Sequence, residues 1–337
     1  MKKLKPFLVI LVALIFIMSG CTASSGENLI FGSFYSIQLK GVSARSALKK
    51  IHKTLVEIEN QISTVIETSD VYKINQAKVG EPVKIGKHTL ELFKASMELY
   101  ELTDKAFNPA VYPLVELWSF SPDKLYNEVE EIPPHEDIIE LLQIAQMELF
   151  QLDEESQTIT KSHDNAKLDF GGIAKGYAID KVKELVKDYQ ALINIGGDIL
   201  PYSRKANIGV THPRENGLFG VVNLKDLIIS TSGDYERYYI IDGTRYSHII
   251  GKNGYPASLN EFDIISASVI GEKGMYCDAL ATAIIVSGLD WAENIEQLGY
   301  SALVIIQNTT KGEEYYNIIG DIQFEPSRSA YRKNINL

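Results

Sequence analysis

The group of residues in this chain best suited to bind an anion is an acid, two glycines and a lysine in close succession. Asp169, Gly171-Gly172 and Lys175 lie within the segment 168–180, where an apolar stretch ends and a helix is predicted to begin. Such a turn leaves backbone N–H groups free at the positive end of a helix dipole, and both favour a phosphate group. The glycine spacing matches neither the Walker loop nor the dinucleotide-binding fingerprint. A tight strand-to-helix turn without any ligand would leave the same pattern.

A carboxylate and a hydroxyl one helical turn apart form a second candidate group. Asp278 and Thr282 are four residues apart in a predicted helix, so their side chains share one face. Their oxygens are hard donors of the kind that Mg²⁺ prefers, and a backbone carbonyl, waters and substrate phosphates would complete the coordination. The alternative is structural: Asp278 caps its helix, and Thr282 bonds to the helix backbone.

Asp198 is a third candidate, because it follows Gly196-Gly197 at the end of a short apolar strand. Glycines at such a position permit unusual backbone angles or the close approach of a ligand. The Asp198 carboxylate could then accept hydrogen bonds from a ribose or a base. It could equally close a turn, and the residues alone leave both possibilities open.

The segment 230–250 reads as a β-hairpin around an Asp-Gly turn at residues 242–243. Its side chains include Ser232, Arg237 and His248, which could face a pocket. His248 could act as a general base, donate a hydrogen bond to a phosphate, or serve as a structural histidine. We count Ser232 and His248 among the candidate site residues.

Aromatic and amide groups occur together at Ala106, Phe107 and Asn108, upstream of the aromatic stretch 117–120. They could clamp a flat ring system, or they could belong to the core. The remaining histidines show no partner pattern and no zinc-ligand spacing, and we interpret them as surface residues: His52, His88, His135, His163 and His212.

The N-terminus has the parts of an export signal. Three lysines precede an apolar run over residues 7–18, which is too short for a comfortable membrane span, and Ser19-Gly20-Cys21 follows. A cysteine in this setting resembles a lipobox, at which bacterial lipoproteins are cut and lipidated. We therefore predict a signal peptide over residues 1–20, lipidation of Cys21 and a polar tether over residues 21–28. The alternative is an uncleaved anchor helix with an incidental cysteine.

Composition excludes one broad class of function. The formal charge is −11, from 33 basic and 44 acidic residues, and no long basic tract offsets it, so a nucleic-acid-binding role is not expected. A phosphorylated ligand would have to be held locally, by a metal ion and by backbone N–H groups. The only cysteine besides Cys21 is Cys277, which we interpret as a packed small residue.

Hydrophobic periodicity predicts an α+β fold, a single large domain in which helices flank mixed sheets. No repeat or long linker divides the chain after its N-terminal segment. Helices are predicted over 43–62 (with Ser43 as its cap), 87–103, 137–147, 175–189 and 278–287, and a structured loop or broken helix over 107–120. Strands are predicted over 30–39, 192–194, 207–210, 219–224, 227–231, 236–241, 246–250, 264–270, 302–307 and 315–319.

These motifs, in this order, resemble the ApbE family of FAD:protein FMN transferases. The resemblance runs from about residue 31 to 288 and rests on five segments: 168–180, 194–198, 231–235, 245–250 and 278–283. It implies a T-fold-like transferase domain over residues 29–337. It also implies a Mg²⁺ ion held by the Gly172 carbonyl, Asp278 and Thr282, with His248 beside the reacting phosphate. Contacts with the FAD substrate would fall on Phe31, Ala106, Phe107, Asn108, Asp169, Lys175 and Ile250.

The chain departs from the family pattern at several flavin-side positions. Phe31-Gly32-Ser33 replaces a common Met-Gly-Thr, Asn108 replaces an aspartate, and Val65 stands where an aromatic residue is frequent. The usual Asp-Pro-x-Thr-Gly after the His-Ile-Ile run is shortened to residues 251–254. The pyrophosphate end of the predicted site is therefore better supported than the contacts with the flavin ring.

The resemblance implies an extracytoplasmic, lipid-anchored enzyme that moves FMN from FAD to a threonine or serine hydroxyl of an exported acceptor protein, with release of AMP. The acceptor would be a flavin-dependent redox protein with an Asp-Gly-x-x-Gly-Ala-Thr-like stretch, which this chain lacks. Two alternatives stay open. One is an FAD pyrophosphatase with water as the nucleophile, and the other is a non-catalytic flavin-binding lipoprotein.

Overall fold

The computed structural model describes residues 23–122, 124, 129–257, 262–329 and 331–333. Strands and helices are numbered in chain order. The strands are β1 (Ala23–Ile30), β2 (Ser33–Lys40), β3 (Val83–Lys84), β4 (Phe150–Asp153), β5 (Thr158–Lys161), β6 (Gln190–Ile195), β7 (Asp198–Tyr202), β8 (Lys205–Thr211), β9 (Leu218–Lys225), β10 (Ile228–Gly233), β11 (Tyr238–Ile241), β12 (Thr244–Ser247), β13 (Phe262–Gly271), β14 (Ser301–Asn308), β15 (Glu313–Ile319), β16 (Phe324–Pro326) and β17 (Arg332–Lys333). The helices are α1 (Ala44–Ile62), α2 (Asp70–Gln76), α3 (Lys87–Leu102), α4 (Tyr112–Leu117), α5 (His135–Leu142), α6 (Gly171–Leu185), α7 (Gly274–Ser287), α8 (Leu289–Ala292) and α9 (Asn294–Gln297).

A large mixed sheet organises the fold. Within the described ranges its order is β1-β2-β6-β7-β10-β13-β14-β15-β17, and only the β15–β17 pairing is parallel. Two three-stranded sheets (β16-β9-β8 and β3-β5-β4) and the hairpin β11-β12 complete the sheets of the described part. This mixed architecture, with helices packed on antiparallel strands, confirms the predicted fold class.

The two faces of the large sheet bury different partners, and β14 shows why. Successive side chains of a strand point to opposite faces. Ala302, Val304 and Ile306 belong to the main core with α1, α3, α6 and α7, whereas Leu303 and Ile305 pack against β8 and β9. The strand is therefore apolar on both faces, and α6 and α7 are held on one of them.

A third apolar cluster, which we call the cap, covers another part of the molecule. It is built from α4, α5 and the β11-β12 hairpin with the segment that follows it. Its buried members are Leu114, Trp118, Phe120, Ile138, Ala145, Tyr239 and Ile250.

Several predicted elements are confirmed, and others need correction. The predicted strand over 30–39 is confirmed as β2 from Ser33 onward, but Ile30 ends β1, because Phe31 and Gly32 have φ values of 52° and 68° and turn the chain. The helix predicted over 137–147 covers residues 135–142. Ser43 precedes α1 but lies in the left-handed region and makes no side-chain capping hydrogen bond, so its predicted role is wrong.

The structure describes only part of the predicted N-terminal export region. Residues 1–22, including Cys21, lie outside the described residues, so the signal peptide and lipidation stay predictions. Residues 23–28 were assigned to a polar tether but instead form most of β1, paired with β2 over its whole length. In the described residues, no helix combines the length and apolar character needed to cross a membrane.

Candidate active site

Two glycines set the distance between the helices that carry the site. A Cβ added at Gly176 of α6 would lie 2.0 Å from the Gly274 carbonyl oxygen, and one at Gly274 of α7 would lie 2.3 Å from the Gly176 oxygen. Real Cβ atoms do not approach backbone this closely, so only glycine permits this crossing. The contact brings the first turns of α7 against the middle of α6.

The crossing is fixed by two carboxylates that reach from one helix to the other. Asp180 of α6 accepts hydrogen bonds from the Gly274 and Met275 N–H groups at 2.7 and 3.0 Å, and so caps α7. In return, Asp278 of α7 accepts from the Gly176 N–H at 3.1 Å. Because α7 begins at Gly274, Asp278 lies one turn inside the helix, so the alternative that it caps its own helix is wrong.

Lys175 lies between two buried carboxylates. Its Nζ is 2.8 Å from Asp278 Oδ1 and 3.8 Å from Asp198 Oδ2. Burial alone would lower the pKa of Lys175, but the charges of Asp198 and Asp278 outweigh that effect and raise the pKa. Burial raises the pKa of Asp198 well above its usual value, and repulsion from Asp278 adds to the rise. Charge is therefore concentrated here in a weakly hydrated place.

The predicted metal ligands converge on one side of the α6–α7 crossing. Thr282 Oγ1 is 3.1 Å from the Ser232 hydroxyl on β10. A Cβ on Gly172 would lie 3.8 Å from Thr282 Oγ1 and 3.4 Å from the Phe107 ring. Gly172 in the first turn of α6, Thr282 on α7, Ser232 and Phe107 are thus neighbours, and Asp278 is one turn from Thr282.

The donor chemistry of these residues fits a hard divalent cation. One carboxylate, one hydroxyl and a nearby backbone carbonyl are oxygen donors that leave positions for phosphate oxygens and water. In the described part of the chain, no three His, Cys, Asp or Glu side chains are grouped so as to hold a metal by themselves. A cation at Asp278 would therefore depend on neutral oxygens such as Thr282 Oγ1 and on its ligand's phosphates.

The turn that starts α6 is braced by residues that sequence reasoning missed. The Asn75 amide of α2 pairs with both backbone groups of Leu168, at 2.8 and 2.9 Å. The buried Lys161 ammonium donates to the carbonyls of Asn75, Asp164 and Ala166. Asp169 then accepts from the Gly171 N–H at 2.9 Å, and burial raises its pKa.

His248 lies just beyond β12, beside the cap. Its Nδ1 is 3.2 Å from the Arg237 carbonyl oxygen, and its ring is 6.3 Å from that of Phe120 at an angle of 66°. A carbonyl can only accept, so Nδ1 carries the proton of the neutral ring and Nε2 keeps a free lone pair. Burial, aided by the Arg237 charge, lowers the pKa of His248 to about 4, which keeps the ring neutral near pH 7.

The residues predicted to contact the flavin are positioned by contacts of their own. Phe107 is buried, and its N–H donates to Thr103 Oγ1 at 3.0 Å. The Asn108 amide accepts from the Ala110 N–H and donates to the Ala145 carbonyl, and both contacts fix the course of the chain here. Ala106 is also buried.

Phe31 and Ile250 lie at two further places in the fold. Phe31 N–H donates to Glu59 Oε1 at 2.7 Å, which fixes the β1–β2 turn. Ile250 is buried in the cap and pairs with Pro256. The segment after Ile250 and the end of α7, one turn beyond Thr282, line a cavity of about 690 Å³.

Asp198 differs most from its predicted role. It is fully buried, and among the described residues no donor meets its oxygens with ordinary hydrogen-bond geometry, so it is not open to a ribose or a base. Gly196 and Gly197, at φ values of 59° and 95°, form the tight turn that places Asp198 at the start of β7. The Asp198 carboxylate contributes to the site by its charge interaction with Lys175 instead, at 3.8 Å.

Two acidic residues just after β10, Asp234 and Glu236, were not among the predicted site residues. Buried Asp234 accepts two hydrogen bonds from Arg214, at 2.6 and 2.7 Å, which anchors the segment after Ser232. Glu236 has an exposed side chain, yet partial loss of hydration raises the pKa of its carboxyl, and Asp278 adds to the rise against the pull of Lys175.

All five histidines interpreted as surface residues have polar partners, and the exposed His163 accepts from the Asn165 N–H at 3.2 Å. His212 is buried, with Nε2 3.1 Å from Glu314 Oε2. His52, His88 and His135 each lie within 2.9 Å of a tyrosine hydroxyl, of Tyr35, Tyr177 and Tyr255 respectively. Cys277 is buried as predicted, and burial raises the pKa of its thiol.

The fold and site thus define an α+β protein in which a two-glycine turn at a helix N-terminus lies beside a carboxylate and a hydroxyl. The ApbE family profile matches residues 31–304, and the chain belongs to the ApbE family. It is 27% identical over 311 residues to a protein named FAD:protein FMN transferase from Vibrio cholerae, covering 89% of each chain. It is 30% identical over 280 residues to one so named from Klebsiella pneumoniae, covering 81% of this chain and 85% of that one.

A solved structure of an ApbE protein also resembles this chain. The crystal structure of the ApbE protein from Thermotoga maritima superposes with a TM-score of 0.78 at 30% identity. The match covers 87% of this chain and 96% of that one.

Proposed function

We propose that this protein is a divalent-cation-dependent FAD:protein FMN transferase. The observation that carries the proposal is the α6–α7 crossing, which places Lys175, Asp278, Thr282 and the Gly172 turn together. These groups suit the binding of a diphosphate and the cleavage of the bond between one phosphorus and the bridging oxygen. The Vibrio cholerae and Klebsiella pneumoniae relatives named for this activity are 27% and 30% identical to the chain over most of its length.

The work of the site is positioning and charge stabilisation, as in other phosphoryl transfers. Asp278, Thr282 and the Gly172 carbonyl would hold the cation. When bound, a divalent cation such as Mg²⁺ neutralises charge on phosphate oxygens and on the leaving group. The N-terminus of α6 and the Lys175 ammonium contribute positive charge on the protein side.

His248 is suited to accept the proton of the attacking hydroxyl. With Nδ1 held by the Arg237 carbonyl, Nε2 presents its lone pair. The acceptor's threonine or serine oxygen forms a bond to the FMN phosphorus as the bond from that phosphorus to the bridging oxygen breaks. AMP leaves with the bridging oxygen, and the hydroxyl proton passes to Nε2.

The cavity beside Ile250 and the end of α7 offers space for the flat part of the substrate. Its lining includes Trp291 and Ile285, together with polar residues of the 251–253 segment. Such a mixture suits a planar ring with polar edges. The segment 251–254 is also where the chain is shorter than the family pattern, so ring contacts here would be specific to this chain.

We further propose that the protein works outside the cytoplasm, held at the membrane by lipid on Cys21. The basic flank, the apolar run 7–18 and Ser19-Gly20-Cys21 support this proposal. The acceptor would then be another exported protein with a target threonine or serine. Cys21→Ser should release the protein from the membrane fraction without changing its rate of transfer in detergent.

The test is the intact mass of an acceptor. An exported redox domain with an Asp-Gly-x-x-Gly-Ala-Thr-like stretch is incubated with this protein, FAD and Mg²⁺. We expect the acceptor to gain one FMN phosphoester with an equal amount of AMP, and a target Thr→Ala acceptor to gain nothing. Asp278→Ala should lower the rate at least about 100-fold, because it removes the charged ligand of the cation.

The same experiment separates the alternatives. Release of FMN and AMP with no change in the acceptor's mass would indicate a pyrophosphatase. Tight FAD binding without products, unaffected by Mg²⁺ or by Asp278→Ala, would indicate a flavin-binding protein. Either result would overturn the transferase proposal.

A further inference from the structure

The Lys175 ammonium is held unequally by two carboxylates. It is 2.8 Å from Asp278 Oδ1 and 3.8 Å from Asp198 Oδ2. Both carboxylate side chains are 1% exposed, whereas the Lys175 side chain is 19% exposed. The shorter contact is made to Asp278, the carboxylate that would bind the cation.

Asp198, the other carboxylate, is fully buried and poorly satisfied. Within the described residues, no donor meets either of its oxygens with ordinary hydrogen-bond geometry. The nearby Ser230 hydroxyl favours its charged form, but burial outweighs that effect and raises the pKa of Asp198. A buried carboxylate with so little donor support is costly, and its burial leaves the side chain little room to turn away.

We propose that Lys175 is a positioning residue that takes the place of the metal ion. Its ammonium neutralises Asp278 while the cation is absent and moves onto Asp198 when Asp278 binds the cation. This inference rests on the metal site of the proposed function. The Nζ–Oδ2 distance to Asp198 has to shorten from 3.8 Å to about the 2.8 Å that now separates Nζ from Asp278.

Electrostatics favours such an exchange. An ammonium and a divalent cation on the same carboxylate oxygen would repel each other strongly in a weakly hydrated site. Four charged groups face this place, namely Lys175 and the carboxylates of Asp198, Asp278 and Glu236. Asp198 is the buried carboxylate next to Lys175 that the cation would leave free. A lysine retained there would stay close to the substrate's phosphates instead of swinging into solvent.

The test is Mn²⁺ binding to the full-length protein in detergent, without FAD, followed by electron paramagnetic resonance of the free ion. We expect Asp198→Asn to weaken binding at least ten-fold, because the ammonium loses its second carboxylate. Lys175→Met should bind Mn²⁺ at least as tightly as the wild type. In the Lys175→Met background, Asp198→Asn should then change the affinity less than three-fold.

This last comparison separates the exchange from a structural role. A ten-fold effect of Asp198→Asn that persists without Lys175 would mean that Asp198 acts on the metal or the fold directly, and would overturn the proposal. Wild-type binding that Asp198→Asn leaves unchanged would also overturn it, while the metal site and the proposed function stand. No Mn²⁺ binding by the wild type at millimolar concentration would reject the metal site itself.

A second readout needs no substitution and does not depend on how well the variants fold. In wild-type crystals soaked with Mn²⁺, we expect the Lys175 Nζ within hydrogen-bond distance of Asp198 and no longer bonded to Asp278. A lysine that stays on Asp278 beside a bound ion, or that leaves both carboxylates for solvent, would contradict the exchange.

Discussion

The α6–α7 crossing and the cap hold reactive groups by different means. At the crossing, Gly176 and Gly274 place two backbones in contact, and Asp180 and Asp278 tie one helix to the other. In the cap, His248 depends on the Arg237 carbonyl and on the Phe120 ring, which is stacked on Tyr239 with centroids 5.1 Å apart.

The difference shows that the reactive groups of the two regions have different freedom to move. Backbone contacts and buried carboxylates allow little movement, which suits cation and phosphate ligands that need fixed geometry. Aromatic packing permits small adjustments of side chains, which suits a group that must meet an incoming protein hydroxyl. We therefore expect the crossing to tolerate no added volume, and the cap to tolerate substitution with a graded loss of rate.

The largest expected effect follows from Gly176→Ala. The added methyl would lie 2.0 Å from the Gly274 carbonyl oxygen, so α6 and α7 must separate. We expect the free energy of unfolding, measured with urea, to fall by about 3 kcal/mol or more. Gly172→Ala is the matched control, because its methyl meets the Phe107 ring at an ordinary 3.4 Å. Equal stability of the two variants would show that the crossing is not tight.

A smaller loss is expected when Asp180→Ala removes the acceptor at the N-terminus of α7. The substitution leaves the Gly274 and Met275 N–H groups without their acceptor. We expect the free energy of unfolding to fall by about 2 kcal/mol, the upper range for a helix cap. Glu154→Ala, which breaks the exposed pair with Lys94, should cost less than about 1 kcal/mol. If Asp180→Ala lowers the free energy of unfolding by no more than Glu154→Ala does, Asp180 does not stabilise the N-terminus of α7.

The cap is tested by Phe120→Leu against Phe219→Leu. Both rings are fully buried, but Phe219 lies in the cluster between the large sheet and β8-β9. We expect each variant to lose about 1–2 kcal/mol of stability in urea unfolding. Only Phe120→Leu should lower kcat for FMN transfer, by about ten-fold (about 1.4 kcal/mol), because His248 loses its packing. Equal kcat values for the two variants would show that packing in the cap does not affect the reaction.

The smallest effect per step of the measurement is the response to one unit of pH, and its sign differs between the two regions. Because the pKa of His248 falls from 6.5 to about 4 on folding, the unfolded chain binds more protons, and stability is lost as the pH falls from 6.5 towards 4. Asp198 has a raised pKa in the folded state, so its contribution to stability grows as the pH falls towards 3.8. The slope is at most about 1.4 kcal/mol per pH unit.

Urea unfolding at several pH values checks these signs. His248→Asn should make stability less sensitive to acid between pH 6.5 and 4. Asp198→Asn should make it more sensitive in the range where the native carboxyl would have gained its proton. The same direction of change in both variants would contradict the contrast between the regions.

Local patterns predicted much of the fold and part of the site. The Asp242-Gly243 turn has φ values of 49° and 79° and joins β11 to β12, as this dipeptide indicates. The i, i+4 spacing of Asp278 and Thr282 gave their shared helix face. Each of these features is encoded by a few adjacent residues, so the sequence displays it directly.

Contacts between distant segments left no such signal. Asn75 braces Leu168 from 93 residues away, and Arg214 holds Asp234 from another strand connection. Asp198 looked available for a ligand because its glycine turn is visible in the sequence, whereas its burial beneath Lys175 depends on α6 packing over β7. Such contacts depend on tertiary packing, which no periodicity reports.

The position of a bound cation tests the central claim most directly. Crystals of the protein soaked with Mn²⁺ and FAD would show the ion by its anomalous scattering. We predict one ion about 2 Å from the Gly172 carbonyl oxygen, an Asp278 carboxylate oxygen and Thr282 Oγ1, with the FAD phosphates completing its coordination. An ion elsewhere, or FAD bound with no ion among these three groups, would contradict the account.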